Sequence, residues 1–330
     1  MRSPQLHGDT AGSGVRKGAR GVLRTLITGL RFLAIAILLY GSVFFVLSHV
    51  HFQQEPLTFH SAPYYHYKGG ISWRKFREFD PRQHWDVIVV GSSHAYRGYD
   101  PRVFAEQGIR SFNLGSSAQS TTNTAILLEH YVTKANCGLL ILDVYDKALG
   151  TSGLESTSDL TQNIPSARAA ARMAFAQCDP RALNMMALRW LTADVRHYDD
   201  TSYVSGGFAQ RTDTAQHGMN TTSDMPVVLD PLQVENLHRC IAFAREHDIP
   251  LVLVTHCAPG PVQRARHAAF RTFIESCLLG TGIHYIDLTY GHQLDAHEHF
   301  YDDNHLNLAG VRLFNAQLLD SLRAYDLIGQ

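Results

Sequence analysis

The stretch that decides the fold is Asp86-Val-Ile-Val-Val-Gly-Ser-Ser-His94. The unbroken apolar run after Asp86 is typical of a strand that lies inside a parallel sheet and is covered on both faces. The run stops at Gly91, and Ser93 is placed to open the helix that follows. A strand that passes into a helix in this way predicts an α/β fold.

Four more apolar runs with strand character follow, separated by helical patterns. The predicted strands cover residues 111–114, 138–143, 251–255 and 283–287. The predicted helices cover residues 101–108, 122–134, 231–247, 262–279 and 307–325. This alternation predicts a doubly wound parallel sheet of five strands. In such sheets functional residues lie at the carboxyl ends of the strands, where Ser93, Gly115 and Asp143 fall.

Residues from about 150 to 230 interrupt the alternation between the third and fourth predicted strands. They are rich in Ser, Thr, Asp and Ala, with helical patterns over 166–175 and 182–191 and a loop-like portion over 206–224. Such a connection is too long for an ordinary loop. We expect an inserted cap or lid beside the active site, not a separate domain.

The N-terminal part of the chain has the pattern of a membrane anchor. Residues 32–50 carry no charged side chain, and as a helix they would be roughly 28 Å long, about the thickness of a bilayer core. Residues 1–31 contain six Lys and Arg against one acid, so the positive-inside rule keeps this leader in the cytoplasm. Residues 51–85 would then connect the anchor to an outward-facing domain of residues 86–330. The alternative is a cleaved signal peptide, but no small-x-small cleavage site follows Leu47, which favours an uncleaved anchor in the inner membrane.

Composition narrows the classes of function. Hydrophobic residues make up 45% of the 330 residues and charged residues 18%, which suits a packed core and not a disordered chain. The formal net charge is −1, so no nucleic-acid partner is expected. The five cysteines are scattered, odd in number and without a C-x-x-C pair, and they predict neither a zinc site nor a disulfide framework.

A second stretch, Tyr301-Asp-Asp-Asn-His-Leu-Asn-Leu-Ala-Gly310, supplies a histidine and a carboxylate near the end of the chain. With Ser93 as nucleophile, His305 as base and Asp302 orienting the imidazole, the two stretches contain the parts needed for acyl transfer through a covalent serine intermediate. Each part also has a simpler interpretation. Ser93 could be a helix cap, and the Asp302–His305 segment could be a solvated turn.

These blocks resemble the SGNH (GDSL-like) hydrolase superfamily. The matching blocks are Gly91-Ser-Ser93, Asn113-Leu-Gly115 and Asp302-x-x-His305, within a similarity that spans about residues 86–325 apart from the insertion. The resemblance implies that Ser93 is the nucleophile and that the backbone amides of Ser93 and Gly115 form the oxyanion hole. The form of the blocks is similar to that of membrane-anchored SGNH-like proteins of bacterial envelopes, which include exopolysaccharide-esterifying enzymes and D-alanine transfer proteins.

The resemblance implies a serine esterase or O-acyltransferase that acts on acyl groups of an extracytoplasmic envelope glycan. Its partners would be an acyl donor, the glycan acceptor, the membrane and other membrane proteins of a polysaccharide-modification system. No cofactor and no metal are expected. An alternative of a different class is a catalytically weak SGNH-like domain that binds a glycan or a partner at the membrane.

The chain departs from the family pattern at two places. Ser92 stands where the family usually has Asp, a position that the chemistry does not require. The family's Gly-x-Asn-Asp block, whose Asn donates to the oxyanion, is absent, and the third strand ends in Leu142-Asp-Val-Tyr-Asp146. Gln119, Asn123 or a further backbone N–H could replace the missing amide. Loss of one such donor typically lowers the rate ~10²–10³-fold.

The histidines offer further candidates. His94, expected at the rim of the site, and His256, at the end of the fourth predicted strand, could contact substrate. His297 and His299 lie close before Asp302, which suggests a metal-dependent hydrolase as a weaker alternative, although His-x-His on a loop without a second ligand pair is a poor metal signature.

Overall fold

The computed structural model describes residues 11–53, 55–65, 68–192, 200–214, 227–259, 264–290 and 293–329, with side chains from residue 21 onward. Within it the chain forms two compact units, Met1–His60 and Ser61–Gln330. Part of the predicted loop over 206–224 lies outside the described residues.

The first unit consists mainly of one long helix, α1 (Ala11–His49), followed by a short antiparallel pairing of His51–Phe52 with Glu55–Pro56. Its portion Gly21–His49 contains an 18-residue window with a mean hydropathy of 2.3, and it is long and apolar enough to cross a membrane. The predicted anchor over 32–50 is therefore part of a longer helix. The helix extends toward the N-terminus because residues 21–31 also contain several apolar helix formers among the arginines.

The second unit is built on a parallel sheet of five strands: β1 (Trp85–Val90), β2 (Ser111–Asn113), β3 (Cys137–Asp143), β4 (Leu251–Thr255) and β5 (His284–Asp287). The strands lie in the order β2-β1-β3-β4-β5, and every neighbouring pair is parallel. The predicted doubly wound five-stranded sheet is confirmed. Its order is the flavodoxin-like one, in which the chain switches direction between β1 and β3.

Helices connect the strands. They are α2 (Gly70–Glu78) before the sheet, α3 (Ser93–Gly98) and α4 (Pro101–Ala105) after β1, α5 (Thr121–Tyr131) after β2, α10 (Pro231–Glu246) before β4, α11 (Arg264–Leu278) before β5, and α12 (Leu308–Ala324) at the end. The helix predicted over 101–108 begins at Pro101, where Asp100 caps its start. It ends earlier than predicted, at Ala105.

The alternation of side chains along β1 divides the core into two layers. Val87 and Val89 pack with α3, α4 and α12, whereas Ile88 and Val90 pack with α2, α5, α10 and α11. Both layers are buried, which explains why the strand is apolar from Val87 to Val90. The carboxyl end of β1 is therefore held firmly between two layers of helices, and it carries Ser93.

In the segment inserted between β3 and β4, the described residues form four helices: α6 (Asp146–Leu149), α7 (Leu154–Asn163), α8 (Ala167–Ala176) and α9 (Pro180–Leu191). The helices α7, α8 and α9 pack on one another, and they also contact α5 and α2. The Ser117 hydroxyl donates to Glu155 at 2.7 Å, which joins α7 to the loop that carries Gly115. Helix α2, which the sequence placed in the connector, belongs to the same compact unit as the sheet.

Candidate active site

The path of the chain from β1 into α3 presents Ser93 at the carboxyl edge of the sheet. Gly91 has φ +149°, and a Cβ there would lie 2.8 Å from Cβ of Asp143 and 2.9 Å from its carbonyl oxygen. Only glycine lets the two strands approach so closely. The Ser92 side chain caps α3 by accepting from the His94 N–H at 3.4 Å. Ser92 is thus the capping residue, which leaves the Ser93 hydroxyl available for another partner.

That partner is His305. The Ser93 Oγ lies 2.7 Å from Nε2 of His305, and Nδ1 of the same ring lies 2.9 Å from both carboxylate oxygens of Asp302. The structure brings the three predicted side chains together in the order nucleophile, base and carboxylate. With Nδ1–H donating to Asp302, Nε2 is the nitrogen that accepts the proton of Ser93.

Asp302 is held by its own loop as well as by the imidazole. Its Oδ1 accepts from the backbone N–H groups of Asn304 and His305, each at 2.8 Å. Burial by itself would raise the pKa of Asp302, but the hydrogen bond and the charge of His305 and the two backbone donors outweigh it, so the pKa is lowered. Tyr301 stacks on the His305 ring, with 5.4 Å between ring centroids and 12° between planes. Asp302 therefore remains ionised and the imidazole is held in one orientation.

Gly115 lies beside the start of α3 on a loop fixed by backbone bonds. A Cβ at this position would lie 2.7 Å from Cβ of Ala95 and 2.9 Å from the carbonyl oxygen of Gly91. The Ser116 N–H donates to Gly91 O at 3.2 Å, and the Gly115 N–H donates to Oδ1 of Asn113 at 2.9 Å. The proposed oxyanion donor is close to the nucleophile helix, but its N–H already has an acceptor.

The side-chain amides suggested as replacement donors are also engaged inside the fold. Nε2 of Gln119 donates to the Thr124 hydroxyl at 2.9 Å. Nδ2 of Asn123 donates to the hydroxyls of Ser156 and Thr157 on α7, at 2.8 and 2.9 Å. The Asn123 contacts bind α5 to the inserted segment. The Asn123 amide has both hydrogens committed to these hydroxyls, whereas the Gln119 amide has one hydrogen committed to Thr124.

His94 and His256 lie below the surface of the site, with 7% and 4% of their area exposed. The His94 ring packs against the rings of His256, Tyr145 and His305, with centroid distances of 5.0, 4.2 and 5.6 Å. Burial, followed by the neighbouring histidines, lowers the pKa of His94 well below its ordinary value. The expected rim position of His94 is therefore corrected to a buried one, because α3 turns its side chain inward toward β4.

Two residues at the site were not found by sequence reasoning. Tyr145, just after β3, contacts His94 and shares a hydrogen bond of 3.1 Å between its hydroxyl and Oδ1 of Asn304. Its place after a strand end was a signal that could have been used. Lys75, on α2, is fully buried and donates to the carbonyl oxygen of Gly115. A single lysine in an amphipathic helix gives no such signal.

The residues suggested for a metal site form a turn. Oδ1 of Asp295 accepts from the N–H groups of His297 and Glu298, and Nδ1 of His299 accepts from the Asp295 N–H at 2.8 Å. Within the described parts of the chain, no group of three or more His, Cys, Asp or Glu side chains is arranged to hold a metal ion.

Comparison with known proteins gives structural likenesses only. No protein-family profile and no curated protein matches the chain. The chain is similar to a GDSL-like lipase of Bacteroides thetaiotaomicron, with 11% identity, 74% of this chain and 89% of that chain covered, and a TM-score of 0.37.

Two further solved structures are similar at the same level. A provisionally assigned acylhydrolase of Bacteroides fragilis has 11% identity, 73% and 88% coverage and a TM-score of 0.36. A provisionally assigned platelet activating factor of Streptococcus pneumonia has 10% identity, 76% and 91% coverage and a TM-score of 0.40. Likeness this distant carries no argument about activity, so the functional interpretation rests on the geometry of the site.

Proposed function

We propose that this chain is a serine-dependent esterase or O-acyltransferase of the SGNH type that works through an acyl-serine intermediate. The observation that carries the proposal is the hydrogen-bond chain from Ser93 Oγ through His305 to Asp302, with links of 2.7 and 2.9 Å. A serine that only caps a helix needs no imidazole aligned on its hydroxyl. A histidine with only a structural role needs no carboxylate bonded to its other ring nitrogen.

The proposed reaction has two halves. Ser93 Oγ attacks the acyl carbonyl carbon while Nε2 of His305 takes the hydroxyl proton, and Asp302 stabilises the imidazolium that forms. The tetrahedral intermediate then collapses, the bond to the leaving alcohol breaks, and His305 returns the proton to that alcohol. In the second half His305 takes a proton from water or from a sugar hydroxyl, whose oxygen attacks the acyl-serine. The bond between the acyl carbon and Ser93 Oγ then breaks, and His305 returns the proton to Oγ.

Backbone donors would stabilise the oxyanion. The Ser93 N–H is the first of α3 and belongs to the helix turn whose amides lack acceptors within the helix. The Gly115 N–H would be shared between Asn113 Oδ1 and the oxyanion, as three-centre hydrogen bonds allow. The Tyr145 phenol stays neutral, because burial raises its pKa, and its hydroxyl donates to Oδ1 of Asn304.

The predicted membrane anchor supports an envelope glycan as the acyl acceptor. With the basic leader in the cytoplasm, the residues after α1 face outward, where the acyl acceptor is an envelope glycan and the acyl donor is supplied at the membrane. An anchored enzyme stays beside a polymer that is made or exported at the same membrane. The site itself does not select between water and a sugar hydroxyl as the final acceptor.

Release of p-nitrophenol from p-nitrophenyl acetate tests the reaction class. We expect the wild-type chain to release p-nitrophenol and Ser93→Ala to lose that activity, because no other hydroxyl is bonded to Nε2 of His305 among the described residues. Ser321→Ala on α12 is the matched control, since among the described residues the Ser321 hydroxyl bonds only to its own helix, at Gln317 O. Equal rates in the wild type and Ser93→Ala would refute the serine mechanism.

A binding scaffold is the second candidate. The engaged state of the Gly115 N–H and of the Asn123 amide favours it, because an oxyanion hole with one free donor would be weak. The 2.7 Å contact between Ser93 and His305 argues for the enzyme. A wild-type chain that binds glycan fragments but forms no acyl-enzyme would decide for the scaffold.

A further inference from the structure

Lys75 is a buried lysine on α2, and the packing of this helix does not explain why a charged side chain is buried there. The residue has 0% of its area exposed, although α2 has a solvent-facing side that carries Arg74 and Arg77. No ion pair of Lys75 with a carboxylate is found among the described residues. A buried ammonium without such a partner is costly, so a lysine at this position implies a use for its charge.

Two contacts define that use. The ammonium donates to the carbonyl oxygen of Gly115, and it lies 5.0 Å from the centroid of the Tyr96 ring. Tyr96 is on α3, the helix opened by Ser93. Lys75 thus touches the loop and the helix that together supply the proposed oxyanion donors.

We propose that Lys75 is a positioning residue of the oxyanion loop, where its ammonium fixes the Gly115 carbonyl and thereby the peptide groups on both sides of Gly115. This inference rests on the proposed acyl transfer. The Gly115 N–H has a competing acceptor in Asn113 Oδ1, so a small rotation of the loop decides how well that N–H reaches an oxyanion beside Ser93. A charge-assisted bond from Lys75 to the Gly115 carbonyl limits the rotation.

The inserted segment holds Lys75 in place. Ser72 on α2 donates to Oδ2 of Asp159 on α7 at 2.5 Å, and the Gly69 N–H donates to Oδ1 of Asn163 at 2.9 Å. Nη1 of Arg77 donates to the Asn163 carbonyl at 3.1 Å. Helix α7 therefore braces the helix that carries the lysine, which gives the insertion a role in the shape of the site.

The charge of Lys75 makes the proposal testable by pH. Burial is the main effect that lowers its pKa to about 7; Asp159 on α7 raises the pKa and Arg97 on α3 lowers it further. The neighbouring Tyr96 is neutral because burial raises the pKa of its phenol. As the pH rises above about 7, the ammonium becomes an amine, and its bond to the Gly115 carbonyl loses the contribution of the charge.

The test compares acylation rates of the full-length chain with p-nitrophenyl acetate from about pH 6 to about pH 9, measured as the pre-steady-state burst. We expect the wild-type rate to decline about five-fold on the alkaline side, the difference between a charged and a neutral hydrogen bond. Lys75→Met should acylate ~10- to 100-fold more slowly at neutral pH and lack the alkaline decline. Lys134→Met, which removes an exposed lysine, is the matched control and should behave as the wild type.

Ser93→Ala separates this inference from the proposed function. If Ser93→Ala abolishes the burst while Lys75→Met keeps the wild-type rate and pH profile, only the role of Lys75 is wrong. If Ser93→Ala keeps the burst, the proposed function fails first. Should Lys75→Met not fold, as judged by circular dichroism, the wild-type profile decides, because a burst rate that stays level between about pH 7 and about pH 9 would overturn the inference.

Discussion

The change Asp302→Asn tests the triad through the group farthest from the reacting atoms. The asparagine carbonyl can still accept from the N–H groups of Asn304 and His305, which Oδ1 of Asp302 binds at 2.8 Å. The loop should therefore keep its shape. What is lost is the negative charge and Oδ2, one of the two oxygens at 2.9 Å that accept from Nδ1–H of His305. An amide group facing Nδ1 favours the tautomer whose proton is on Nε2, and that tautomer cannot accept from Ser93.

The expected fall in kcat depends on how far the Asp302 carboxylate is exposed to water. In a serine protease triad with a buried aspartate, the same change lowers kcat about 10⁴-fold. Here 43% of the Asp302 side chain is exposed, so water screens its charge and can partly replace it. A charge-assisted hydrogen bond contributes about 1.5–3 kcal/mol, and with the cost of the unfavourable tautomer we expect kcat to fall ~10²–10³-fold.

The assay is steady-state hydrolysis of p-nitrophenyl acetate together with thermal unfolding. Asp302→Asn should lower kcat with little change in KM, and it should shift Tm by less than ~3 °C because the loop bonds survive. Asp303→Asn is the control, since Nδ1 of His305 bonds to both carboxylate oxygens of Asp302. A crippled Asp303→Asn beside an active Asp302→Asn would show that the carboxylate has been assigned wrongly.

Three further predictions follow from the same structure. Gly115→Ala should lower acylation by at least ~10-fold and lower Tm, as read from burst kinetics and thermal unfolding, because its Cβ would lie 2.7 Å from Ala95 Cβ; an unchanged burst would remove the loop from the mechanism. Between the folded pKa of Lys75, about 7, and its ordinary value of 10.5, the unfolded chain binds more protons than the folded one. The free energy of unfolding should therefore rise by up to about 1.4 kcal/mol per pH unit across that window. Urea unfolding in detergent should show this rise in the wild type, and its persistence in Lys75→Met would contradict the assignment. A phosphatase fused after Gln330 should be active only outside the cytoplasm, and activity of a cytoplasmic reporter at that position would reverse the topology.

The sheet was predictable because its strands carry strong signals. The strands β1, β3 and β4 contain runs of apolar residues buried on both faces, and the strand from Leu251 to Thr255 ends where the sequence indicated. Helix α7 was not predictable. Its residues Ser156, Thr157 and Ser158 are poor helix formers, and they are buried through contacts with other elements that the local sequence does not reveal.

Some residues of the candidate site were likewise predictable from sequence and others were not. Ser93, Asp302 and His305 belong to short motifs whose spacing predicts that these side chains meet, and the structure brings them together. The side chains of Gln119 and Asn123 have the right chemistry for an oxyanion, but sequence shows a donor without showing its acceptor. Those acceptors lie in the fold, on Thr124 and on α7. The contact of Lys75 with the Gly115 loop joins elements 40 residues apart, which no local pattern indicates.

The most direct test of the account is to locate the nucleophile. The full-length chain is treated with a fluorophosphonate, whose phosphorus is attacked by an activated serine oxygen with loss of fluoride, and the adduct is placed by tandem mass spectrometry. The account predicts one adduct, on Ser93 and not on Ser92, formed more slowly in Asp302→Asn and absent in Ser93→Ala. Labelling of the wild type and Ser93→Ala to the same extent, or an adduct on another residue, would contradict it.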